Sequence, residues 1–250
     1  MTNILAFHAH PDDVETLGAG TLALLAANGH RIAIATMTAG DCGSVEHSQE
    51  ETARIRRAEA EAAAALIGAE YRCAGVGDLC VFVDDMTRRR TTELIRALRP
   101  DIVITASPVD YHPDHEATSA LVRDACFAAP VPNYKTGPAR ALDAIPHLYF
   151  MDPIGGRDRE GNPVAPDFGV DVTAHFARKR DMLMAHASQR NWVMKQHGID
   201  DYTGSMEKWS AKRGRQYGVA YAEGFRQYTG TPYPRAQRLQ ELVGAAFLTI

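Results

Sequence analysis

Three observations predict an α/β fold, a Rossmann-like doubly wound and mostly parallel sheet with helices on both faces and a C-terminal helical extension. Short apolar runs recur through the first 151 residues, helix-forming stretches separate them, and the first two runs are rich enough in Ile and Leu to read as buried strands. That is the pattern of strands buried on both faces of a parallel sheet.

The first run is Asn3 to His8 (N-I-L-A-F-H) and the second Arg31 to Thr38 (R-I-A-I-A-T-M-T). Between them Thr16 to Gly29 is uncharged, yet too short and too glycine-interrupted to span a bilayer, so it reads as a buried helix. Further strands are expected at Glu70 to Ala74, Asp101 to Ala106 and His147 to Met151, with helices over Glu50 to Leu66, Thr87 to Leu98 and Pro113 to Ala128. Gly68 closes the first of these helices from a C′ position. Pro130 to Pro146 and Asp152 to Gly169 are Gly/Pro-rich and read as long ordered loops, since apolar segments flank both. From about Thr173 the pattern returns to helix, at His175 to Ala187 and Arg235 to Phe247.

The 250 residues fit one domain, with a Rossmann-like core over 1–172 and a helical part over 173–250. With 45% hydrophobic and 23% charged residues the chain can bury a sizeable core. A formal net charge of −4 argues against nucleic-acid or anionic-membrane partners. Cys42, Cys73, Cys80 and Cys126 contain no C-x-x-C pair and read as reduced, mostly packed thiols. No signal-peptide pattern opens the chain, so the expected compartment is the cytoplasm.

Two histidine-carboxylate clusters carry the chemistry. His8-Ala9-His10-Pro11-Asp12-Asp13-Val14-Glu15 follows the first strand, and His112-Pro113-Asp114-His115-Glu116 follows the fourth, each with a proline suited to the first helical position. With strand order 3-2-1-4-5 both clusters leave adjacent strands at the topological switch point and converge, though about 100 residues separate them. Imidazole and carboxylate together suit a borderline divalent ion, zinc first, with divalent iron or cobalt also able to occupy such a site. Adjacent carboxylates on a helix diverge by roughly 100°, so one can bind metal while the other accepts the proton of water. Of His112 and His115 one can ligate and the other serve the oxyanion or the leaving amine, and spacing does not say which. His8, inside a buried strand, reads as packing or as support for a ligand.

A-H-P-D-D-V-E at Ala9 to Glu15, H-P-D-H at His112 to His115, and R-x-x-E followed by L-x-G at Arg56 to Gly68 resemble the PIG-L/LmbE-type deacetylases, with a weaker echo in H-A-S-Q at His186 to Gln189. The resemblance covers about the first 120 residues. It implies a zinc-dependent enzyme removing acetyl or related acyl groups from N-acylated sugars or sugar conjugates. It makes His10, Asp13 and His115 the metal ligands and Asp12 the general base. His112 becomes the oxyanion-stabilising group or general acid, with Asp114 orienting it, and Arg56 a substrate-binding cation.

Other residues are less decided. Asp41 lies in a glycine turn where the family more often has Glu, Tyr111 adjoins the second cluster, and His186 either faces the pocket or caps its helix. Trp192, Trp209, Tyr217, Tyr221 and Tyr228, within Arg190 to Tyr233, read as core, as a carbohydrate-stacking lid or as a homo-oligomer contact. Gly18-Ala19-Gly20-Thr21-Leu22-Ala23 fits G-x-G-x-x-A but lies inside a helix, not at the strand–helix turn a dinucleotide site requires. On the same scaffold the rival activities are a thiol-conjugate amidase and a hydratase of an unsaturated acid.

Overall fold

The computed structural model describes residues 1–197 and 201–249. Its elements run β1 (Asn3–His8), α1 (Asp13–Leu17), α2 (Ala19–Ala27), β2 (Arg31–Thr38), α3 (Gln49–Ala65), β3 (Glu70–Val76), α4 (Asp85–Leu98), β4 (Ile102–Thr105), α5 (Pro113–Ala128) and β5 (His147–Met151). The chain continues through β6 (Phe168–Asp171), α6 (Phe176–Met184), α7 (Ala187–His197), α8 (Tyr202–Tyr217), β7 (Ala222–Gln227), α9 (Arg238–Val243) and β8 (Phe247–Leu248).

One sheet carries the order β3-β2-β1-β4-β5-β7-β6-β8. The first five strands are parallel in the expected 3-2-1-4-5 order, and β7, β6 and β8 join antiparallel. The extension is therefore not wholly helical. Strand β7 (A-E-G-F-R-Q) escapes a hydrophobicity reading because it buries Glu223, whose carboxylate bonds the Gly20 and Thr21 N–H groups and Lys179 Nζ.

Each sheet face has its own core, one with Ile4, Leu22, Ile34 and Phe225, the other with Leu5, Phe7, Met37 and Leu121. The helix expected between the first two strands is broken at Gly18, whose added Cβ would meet Met151 Sδ at 3.1 Å. At Gly20 a Cβ would lie 2.7 Å from Val172 Cβ, so this glycine admits the extension, not a dinucleotide. All four cysteines are free, and among the described residues no helix is long and apolar enough to cross a membrane.

Candidate active site

The adjacent strands β1 and β4 deliver both histidine clusters to the carboxyl edge of the sheet, where a cavity of about 830 Å3 opens. The second cluster is built as its sequence predicts. His112 caps α5, its Nδ1 accepting the Asp114 N–H at 3.2 Å, and Pro113 opens the helix. The first cluster departs from expectation. Pro11 lies in a turn before the helix, and Asp12 takes the N-cap position at φ 97°, a conformation uncommon for a side chain with a Cβ. This turn lets Asp13 Oδ2 accept the His10 N–H at 2.8 Å.

Three atoms then form a nearly equilateral triangle. His10 Nδ1 and Asp13 Oδ2 are 3.3 Å apart, His115 Nε2 and Asp13 Oδ2 3.4 Å, and His115 Nε2 and His10 Nδ1 3.3 Å. A tetrahedral ion with bonds of about 2.0–2.2 Å separates its ligand atoms by about that distance. The remaining ring nitrogens are held by carboxylates. His10 Nε2 lies 3.1 Å from Asp78 Oδ1 and 3.3 Å from Asp114 Oδ2, and His115 Nδ1 lies 3.1 Å from Asp110 Oδ1. Carboxylates on the outer nitrogens leave the inner ones free to ligate, the usual device around metal-binding histidine. His8 Nδ1, fully buried, stands 2.7 Å from Asp13 Oδ2 and so supports that carboxylate. The donor set fits a divalent ion.

The charges are strongly interdependent. Burial opposes ionisation of Asp13, yet His115, His8 and His10 hold it well below the usual carboxylate range. Burial likewise opposes charging of His10 and His115, and their carboxylate neighbours outweigh it, raising both. His112 goes the other way, lowered by burial and by His10 and His115. It is thus a neutral imidazole whose Nδ1 is an acceptor, leaving Nε2–H as donor. Burial raises Asp12, Asp13 adds to the rise, and Arg56 and a hydrogen bond from Tyr202 Oη at 2.6 Å work against it.

Some expected residues stand elsewhere than foreseen. The Asp114 carboxylate is not on His112; its Oδ2 faces His10 Nε2 and accepts the Leu79 N–H at 2.8 Å, because Asp114 reaches His112 only through its backbone. Arg56 is buried and lines the cavity, but its terminal nitrogens donate to Gly40 O at 3.0 Å and Pro11 O at 2.7 Å and lie 3.5 Å from Asp12 Oδ1. It holds the strained turn, and an added Cβ at Gly40, where φ is +64°, would lie 2.0 Å from Arg56 Nη1. His186 is fully buried 3.4 Å from Glu15 Oε1 of α1 and does not line the cavity. Asp41 accepts the Asp78 N–H at 3.0 Å, and Tyr111 lies exposed at the rim.

Tyr217 packs at Gly169, Tyr221 stacks on Phe176 and Tyr228 meets Phe150 and Tyr233, whereas Trp192 and Trp209 line the cavity. Asp78, Asp110 and Tyr202 are site residues that the sequence reading missed. Asp110, two residues before His112, carries a signal: each metal-binding histidine needs an acceptor for its other nitrogen. Tyr202, 190 residues from Asp12, carries none.

A family model described as PIG-L, GlcNAc-PI de-N-acetylase, matches residues 5–126. A 1D-myo-inositol 2-acetamido-2-deoxy-alpha-D-glucopyranoside deacetylase of Rhodococcus jostii is 30% identical over 237 residues, covering 74% of this chain and 81% of that protein. A 4-oxalmesaconate hydratase of Pseudomonas putida is 26% identical over 195 residues, covering 75% and 74%. Among solved structures, the conserved protein TT1542 of Thermus thermophilus superposes with a TM-score of 0.76 at 26% identity, covering 94% of this chain and 100% of that one.

Proposed function

Because this chain belongs to the PIG-L family of GlcNAc-PI de-N-acetylases, we propose that it is a metal-dependent hydrolase that removes an acetyl or similar acyl group from an N-acylated sugar or sugar conjugate. The observation that carries the reading is the triangle of His10 Nδ1, Asp13 Oδ2 and His115 Nε2, open toward the cavity with every outer nitrogen held.

These three residues would hold the ion, with zinc the first choice for two imidazoles and a carboxylate. When bound, such an ion supplies a water of lowered pKa and polarises a carbonyl. Asp12 accepts the proton of the attacking water, a task suited to a carboxylate that burial makes more basic than usual. Tyr202 and Arg56 fix its two oxygens. His112 donates Nε2–H to the oxygen that gains negative charge as the amide carbonyl is attacked. The proton held by Asp12 passes to the departing nitrogen, which leaves as a primary amine. Asp114, Asp78 and Asp110 hold the ligand imidazoles.

The cavity lining favours an uncharged, hydroxyl-rich substrate over an unsaturated polycarboxylate. Among the described residues that line it, Arg56 is the one Lys or Arg, and it is already engaged with main-chain carbonyls, whereas Asp12, Asp13, Asp78 and Asp201 are all present. The test is release of primary amine from a panel of N-acetylated sugars and sugar conjugates by zinc-loaded protein, with Asp12→Asn as the blank. Amine from wild type alone supports the reading. Silence across the panel, with consumption of an unsaturated acid, overturns it in favour of hydration.

A further inference from the structure

Trp192 and Trp209 are the only tryptophans of the chain, and both line the cavity that holds the histidine clusters. Trp209 is half-buried, with two cations of its own helix over the ring and its remaining surface lining the cavity. The Arg213 guanidinium carbon lies 4.6 Å from its ring centroid, with Lys212 Nζ at 5.0 Å. Gly156, at φ +65°, lets the indole edge come so close that an added Cβ would stand 2.0 Å from Trp209 Cη2.

The nearer cation is itself fixed. Arg213 is 4% exposed, and its fork grips Asp152 at 2.6 and 2.9 Å and Val164 O at 3.0 Å. Two residues beyond Asp152, the Ile154 N–H donates to Asp110 Oδ2 at 3.0 Å, and Asp110 holds His115. One five-residue segment, 152–156, thus ties the indole to the ligand histidine. A buried ion pair of this kind adds little net stability over apolar packing. Here it sets the indole plane relative to the reacting centre.

We propose that Trp209 is a specificity-determining residue of this site, a fixed aromatic wall on which the apolar face of a carbohydrate ring stacks. Its dual character suits this, since an indole offers a flat apolar surface to ring C–H groups while polar neighbours meet the hydroxyls. The inference rests on the amide-hydrolase reading only for the reaction used to measure it.

The experiment compares kcat and KM for an N-acetylated hexosamine and for an acyclic N-acetylated amino alcohol. In wild type the ring substrate is preferred. Trp209→Ala raises its KM about threefold to tenfold with kcat little changed, and leaves the acyclic substrate's KM where it was. Trp209→Phe restores most of the preference. A ring preference untouched by Trp209→Ala overturns the proposal, as does an equal loss on both substrates. Should Trp209→Ala fail to fold, Trp192→Phe protein leaves Trp209 as the sole indole. Its emission shifts when the free amino sugar is titrated in, and an unmoved emission at saturating product also overturns the proposal. Turnover of neither amide with that shift intact would sink the hydrolase reading and leave the ring wall. Equal turnover of both would do the reverse.

Discussion

The two histidine-carboxylate clusters share a vocabulary and differ in mechanics. In the second, His112 caps α5, Pro113 starts it, and His115 follows on the helix face, so ordinary helix geometry places the groups. In the first, Asp12 sits at φ 97° and the turn is held by Arg56 on Pro11 and Gly40 carbonyls, His8 on Asp13, and Tyr202 on Asp12. His115, on a regular helix, has one orienting carboxylate; Asp12 and Asp13, on a strained turn, take support from α3, α8 and β1. Strain at a functional residue persists where its surroundings over-determine it.

The largest expected effect comes from breaking the part both clusters share. His115→Ala should abolish activity and bound metal together, read by elemental analysis of the purified protein, because a ligand is lost. Stoichiometric zinc in that variant would remove His115 from the ligand set. Asp12→Asn is expected to keep the metal and lower kcat by about 10²–10⁴-fold, since only the proton acceptor goes.

Asp12→Gly separates the clusters most sharply. It should lose activity equally but be about 1–2 kcal/mol more stable than Asp12→Ala in denaturant titration, because both give up the Tyr202 and Arg56 contacts and only glycine takes the left-handed conformation without strain. His112→Ala removes a cap from an unstrained helix and lowers kcat by about 10²–10³-fold through loss of its Nε2–H. Smallest among these is Asp110→Asn, weakening metal affinity or rate by about 10–100-fold by loosening His115. An Asp110→Asn protein indistinguishable from wild type would mean that the helix alone suffices to orient that imidazole.

The parallel half of the fold was legible because buried strands and glycine-closed helices announce themselves locally, and β1, β2, β5 and α5 fall where the residues place them. β7 was not, since its buried Glu223 is explained only by Lys179 and the start of α2, far away in sequence. In the same way His10, Asp12, Asp13, His112 and His115 could be found from two short motifs. Asp78 and Tyr202 reach the site by tertiary approach, across a strand end and from α8. The family resemblance makes Arg56 a substrate-binding cation, but that its fork holds main-chain carbonyls follows only from the closeness of Gly40 and Pro11.

The structure also offers a rival metal position, among His10 Nε2, Asp78 and Asp114, on the opposite side of the same imidazole. Anomalous diffraction at the zinc edge from zinc-loaded crystals decides between them. One peak is expected, bonded to His10 Nδ1, Asp13 Oδ2 and His115 Nε2 at about 2.0–2.2 Å and facing the cavity. A peak on the Asp78 and Asp114 side, or none at full zinc loading, would contradict this ligand set.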